Sequence, residues 1–175
     1  MSKFADEIAE GVKDRLLQNN AAVANPVVWQ VTKHVSSPFL GGTSNKHGND
    51  GGTNDPYTIF NVTGDVIIKG IWGVCNTDLV GAATLEVGVT GNTAALIAQV
   101  ADATTIDDGD ILVDATAAVG VEAVAGSGAF FALNDGVDII ETTGTTNITA
   151  GQIDYYIVWA PVEPGATVVS ATAVA

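Results

Sequence analysis

From Tyr57 onward, short apolar runs are broken repeatedly by turn residues, and this rhythm limits the fold more than any other feature of the chain. The breaks stand at Thr63-Gly64-Asp65, Thr90-Gly91-Asn92, Asp108-Gly109-Asp110 and Asn134-Asp135-Gly136. Gly accepts positive φ without steric cost, and Asn and Asp bond their own backbone, so each cluster favours a chain reversal. The runs between them predict strands at 57–62, 65–76, 83–89, 95–100, 110–114, 119–124, 129–133, 137–142, 153–160 and 166–170. So many short strands in one stretch imply an all-β fold, an antiparallel two-sheet sandwich. It is expected to be jelly-roll-like, with an immunoglobulin-like order as the open alternative. No repeat at a period of 20 to 50 residues is visible, which argues against a solenoid or propeller.

Periodicity also says which strands are covered. Leu85, Val87 and Val89 alternate with Thr84, Glu86 and Gly88, and Ile153, Tyr155, Ile157 and Trp159 share a face, so both segments read as half-buried strands. Segment 66–75, VIIKGIWGVC, is apolar on both faces apart from Lys69. Such a strand is central, or its second face is buried by a neighbouring subunit.

The first part of the chain is organised differently. Phe4, Ile8, Val12 and Leu16 recur every four residues, which predicts an amphipathic helix over 4–17, with Ser2 as its cap and charges placed to suit its dipole. A helix of this length is marginal alone in water and needs a surface for its stripe. Burying the four side chains would contribute roughly 1.5–3 kcal/mol each before ordering costs. An extended arm containing Trp29, Val31 and Val35 follows. Residues 41–56, GGTSNKHGNDGGTNDP, hold five glycines and no aliphatic or aromatic side chain, and predict a flexible linker. The expected organisation is therefore helix and arm at 1–40, linker at 41–56 and sandwich at 57–175.

Charge divides the chain near the same place. Residues 1–50 carry five acids and five bases, whereas 51–175 carry fifteen acids and only Lys69, within a net charge of −14. An anionic body repels nucleic acid and anionic lipid, so neither is an expected partner, although acidity also serves to keep a Val- and Ala-rich β surface soluble. The N-terminus has acids where a signal peptide needs an apolar core, and no run is long enough to span a membrane, so synthesis in the cytoplasm is expected. The single cysteine, Cys75, cannot form an intrachain disulfide and reads as a buried inert thiol.

Catalytic patterns are weak. The histidines, His34 and His47, lie in the arm and the linker, away from core signals, and Gly126-Ser127-Gly128 lacks the context of a nucleophile elbow. Lys46 is followed by His47, Gly48 and Asn49 rather than by a phosphate-binding helix. The cluster Asp102, Asp107, Asp108, Asp110 and Asp114 offers hard oxygen ligands, but its spacing does not match an EF-hand loop. Asp107, Asp108 and Asp110 thus remain weak metal candidates; no metal, cofactor or enzymatic activity is expected. Trp29, Trp72 and Trp159 and the pair Tyr155-Tyr156 sit in apolar stretches and read as core or subunit contacts.

Three segments, VTGDVIIKGIWGVCNT at 62–77, ATLEVGVTGNTAALIAQ at 83–99 and ITAGQIDYYIVWAPV at 148–162, resemble small virion structural proteins of tailed phages. The resemblance covers most of 57–162 and rests on strand and turn patterns. It implies a capsid decoration, or cement, protein on the outside of the virion, oligomeric and often trimeric, with the major capsid protein and itself as partners. The N-terminal arm would be the anchor, and Phe4, Ile8, Val12, Leu16, Trp29, Ile71 and Trp72 the capsid or subunit interface. The alternative is a receptor- or glycan-binding fibre or tail module.

Overall fold

A computed structural model describes residues 28–52, 55–113 and 130–172. The expected helix over 4–17, the strand at 119–124, Gly126-Ser127-Gly128 and Asp114 lie outside the described residues. Within them the chain is all-β and forms two antiparallel sheets, as the turn rhythm demands.

The first sheet is built on β3 (Val66–Val80) and β9 (Ala150–Pro161), its two longest strands. The edge strand β1 (Gln30–Val35) flanks β9, while β6 (Ile111–Val113) and β7 (Phe131–Leu133) share the other side of β3. The second sheet runs β10 (Thr167–Ser170), β2 (Tyr57–Thr63), β8 (Ile139–Gly144), β4 (Thr84–Val89) and β5 (Asn92–Val100). The chain changes sheet at every step except the β4–β5 and β6–β7 connections, which is why neither sheet could form without the other. A 3-10 turn, Ala103–Thr105, follows β5.

The inward rows meet in one core. Ile68, Ile71, Cys75, Ile153, Tyr155 and Ile157 from the first sheet face Ile59, Phe60, Leu85, Val87, Ile97 and Ile139 from the second. Each fully buried aliphatic or aromatic side chain contributes roughly 1.5–3 kcal/mol relative to exposure, and this term holds the layers together.

Two features depart from the expected arm and linker. β1 is a strand of the first sheet, in register with β9 from Gln30 opposite Trp159 to Val35 opposite Asp154. Residues 39–52 are packed onto the sandwich: Phe39 N donates to Gly151 O, Gly41 N to Ile148 O and Ile148 N to Gly48 O. A β-carbon on Gly41 would strike the Gly48 carbonyl, and Gly48 has φ +84 beneath Ile148 and Phe39. These glycines are required by close backbone approach, which composition alone reads as flexibility.

Candidate functional site

The polar loop carries His47 into the interior, where it is 2 % exposed. Its ring lies between Phe39 and Tyr57, with centroids 4.1 and 4.0 Å away. Nδ1–H donates to Ser37 O at 2.8 Å and Nε2–H to Glu141 Oε1 at 2.7 Å. Tyr155 donates its hydroxyl to Glu141 Oε2 at 2.6 Å, so both carboxylate oxygens are satisfied. Burial pulls the His47 pKa down, but the Glu141 charge and hydrogen bond outweigh it and hold the imidazole above its ordinary value. Stacking on two rings favours the same charged form. Burial, then the Glu141 charge, pushes the Tyr155 phenol well above its usual range.

This group joins three distant parts of the chain and is sealed from solvent: His47, Glu141 and Tyr155 are all buried. Its hydrogen bonds tie the loop, β8 and β9 together as an internal cross-link. Asp55 extends the latch, accepting from Thr143 N at 3.0 Å and Gly51 N at 2.9 Å. His34, also buried, bonds Ser170 Oγ through Nδ1 at 2.9 Å where β1 meets β10. Desolvation keeps its pKa below the ordinary value. Both histidines are thus core residues, against the sequence expectation. The missed signal was Glu141 itself, on the inward row of β8 with Ile139 and Thr143, a position where a charge requires a partner.

The acidic loop is explained locally. Asp102 caps the 3-10 turn by accepting from Thr104 N at 3.0 Å. Asp110 Oδ2 accepts from Asp107 N at 3.0 Å, and Asp78 Oδ1 from Asp108 N at 2.7 Å. Among the described residues no three His, Cys, Asp or Glu side chains converge to hold a metal ion. Cys75 is buried, donates weakly to Thr77 O, and burial pushes its thiol up to about 11.

The outward side of the first sheet is unusual in the opposite sense. Across β1, β9, β3 and β6, Lys33, Tyr156, Trp72 and Val113 form one row, with Val35, Asp154, Val74 and Ile111 in the next. Val31 and Val158 continue it. Val31 and Val35 are 66 % and 53 % exposed, and Tyr156, Trp72, Val74 and Val158 are half-buried. Trp72 stacks on Tyr156 at 5.4 Å, and Lys33 lies over the Tyr156 ring while pairing with Asp154 Oδ2 at 2.8 Å. At the far end Trp29 stacks on the exposed Phe130 at 5.7 Å, with Lys69 over its ring. A recess of about 690 Å³ opens there, lined among the described residues by Val28, Gln30, Ile67, Ala160 and the 161–166 turn.

The structure therefore brings Trp29 and Trp72 to one outward face and sends Ile71, expected with them, into the core at 5 % exposure, because successive strand residues point to opposite faces. Trp159 is in the core too, its Nε1–H donating to Thr32 Oγ1 at 2.9 Å. Phe4, Ile8, Val12 and Leu16 lie outside the described residues. No protein-family model, no curated protein and no solved structure matches this chain.

Proposed function

We propose that this chain is a non-catalytic structural module that joins a larger assembly through the outer face of its first sheet. The observation that carries the reading is the aromatic and aliphatic surface of Val31, Val35, Trp72, Val74, Tyr156 and Val158, which no other described element overlies. Large contiguous apolar patches on soluble domains mark interaction sites. Among the described residues His34, His47 and Glu141 are buried and Asp102 caps a turn, which supports a binding rather than a catalytic role.

The form of assembly we propose is a phage virion, with the module as a decoration or cement protein on the outside of the capsid. The major capsid protein and further copies of the chain, arranged as a trimer, would be its partners, and the N-terminal arm its anchor. Two of the three segments that resemble phage virion proteins fall on β3 and β9, which supply most of the outer face. A jelly-roll-like order with an N-terminal amphipathic helix is the finer architecture of this proposal. Mass spectrometry and an electron-microscopy map of purified virions test it. Copies on the outer shell, with the first sheet turned toward another chain, are expected. Density at a tail fibre together with glycan binding would replace it with a receptor-binding reading, and absence from the particle would reject it.

A further inference from the structure

We infer that the contact of His34 with Ser170 is an acid-released clasp: protonation of the ring parts β1 from β10, and these two edge strands loosen while the remaining strands stay paired. The inference does not depend on the assembly reading above.

The seam between the two sheets is held differently from the sheets themselves. Among the described residues β1 and β10 are edge strands of different sheets, β1 paired only with β9 and β10 only with β2, and no ladder joins the two edges. Side chains of β1 close the gap instead. Thr32 Oγ1 donates to Val168 O at 3.0 Å, and His34 Nδ1 meets Ser170 Oγ at 2.9 Å. Each edge strand has one sheet neighbour, so once these side-chain bonds are lost both strands fray before the central strands do. Ser170 is exposed although His34 is fully buried, so a small parting of the strands brings water to the ring.

The surroundings of His34 suit a neutral ring. Ser170 Oγ has one hydrogen and donates it to Ala171 O at 3.3 Å, so the ring supplies the hydrogen of the shorter contact from Nδ1. Nε2, also buried, then carries a lone pair and has no partner among the described residues. Protonation places a hydrogen on that nitrogen, and a buried charged donor without an acceptor is costly. The facing groups offer none. Tyr57 and Phe60 of β2 present rings, with centroids 5.8 and 6.0 Å away, and β10 carries no ionisable side chain. Glu141 of β8 has its oxygens taken by His47 and Tyr155, while Asp154 of β9 pairs with Lys33 on the outward row. Burial is the largest influence on the ring and holds its pKa below 6.5; the charges of Glu141 and Asp154 act against it, and that of His47 acts with it. Because the folded value is depressed, the closed seam is fully favoured above 6.5 and weakens as pH falls toward the folded value. Each pH unit within that window multiplies the open population by up to about tenfold.

Hydrogen exchange of the full chain tests the inference, read by mass spectrometry as protection factors from about pH 7.5 to about pH 5.5, a range above the ordinary carboxylate values. Protection of β1 and β10 is expected to fall several-fold across this range, while that of β4, away from the seam, holds. His34→Gln, which cannot gain the charge, should abolish the fall. Ser170→Ala keeps the ring and removes its partner, so both strands should be less protected already at the upper pH and should still respond to acid. Protection of β1 that is independent of pH in the unaltered chain would overturn the inference, as would an equal fall in His34→Gln. A loss shared by β4 would also overturn it, because the whole sandwich and not the seam would then be opening. Should His34→Gln not fold, Ser170→Ala decides: protection equal to that of the unaltered chain would show that the contact is no clasp.

Discussion

The two sides of the first sheet reverse the usual distribution of polarity. Inside, against β8, an imidazole, a carboxylate and a phenol are buried together; outside, Trp72, Tyr156, Val31 and Val35 face away from the core. The inner group is complete, since both His47 nitrogens and both Glu141 oxygens have partners. The outer face is incomplete, with exposed valines and an unpartnered Asp154 oxygen among the described residues. A polar cluster that is satisfied internally holds the fold, whereas an apolar surface left open needs something outside the sandwich.

The sharpest way to break this contrast is to remove the carboxylate. Glu141→Ala leaves a buried His47 without its counter-charge and Tyr155 without its acceptor. Loss of one partner from a buried pair costs about 3–5 kcal/mol. The expected outcome is a fall of that size in unfolding free energy, measured by urea denaturation. A loss below about 1 kcal/mol, the range of an exposed pair, would mean that the loop is held by packing alone.

Proton binding sharpens the contrast further, because the two buried histidines are pushed in opposite directions. His47 has a raised folded-state pKa, so its contribution is fully present below the ordinary value of 6.5 and is lost as pH rises through the folded value. His34 has a depressed one, so its contribution is present above 6.5 and is lost as pH falls through the folded value. Imidazole resonances followed by NMR should show His47 still protonated above pH 6.5 and His34 neutral below it. Identical titrations near 6.5 would contradict the buried network.

The outer face should respond least in stability. Trp72→Glu/Val158→Glu places charges at half-buried positions of the outward face, where Trp72 also loses its stacking on Tyr156, so each substitution should cost about 1 kcal/mol of unfolding free energy, less than Glu141→Ala. Co-sedimentation of the same variant with virions should nevertheless fall several-fold. A large loss of stability with unchanged co-sedimentation would assign the face to the fold rather than to a partner.

The outer face was partly legible in the sequence and the inner group was not, for physical reasons. Strand periodicity acts locally, so the two-sided apolar run at 66–75 marked β3 as apolar on its outward side as well as its inward one, although it could not separate inward Ile71 from outward Trp72. The bulge between Ile68 and Gly70 shifts the alternation by one residue just before them. Burial of His47 depends on Glu141, 94 residues away, and no local pattern encodes a pairing of that span. Glycine and polar residues across 41–56 suggested freedom, whereas Gly41 and Gly48 serve close packing against Ile148. The strand at β1 was expected as extended chain, but its place beside β9 is a tertiary fact.

Amine cross-linking of the proposed assembly, a purified phage virion carrying the chain, tests the central claim most directly. Lys33 and Lys69 lie with the rings of the outer face, Lys33 over Tyr156 and Lys69 over Trp29, while Lys46 belongs to the loop that covers the interior near His47. The account predicts links from Lys33 and Lys69 to another chain and none from Lys46. Interchain links through Lys46 with Lys33 and Lys69 unlinked would contradict it.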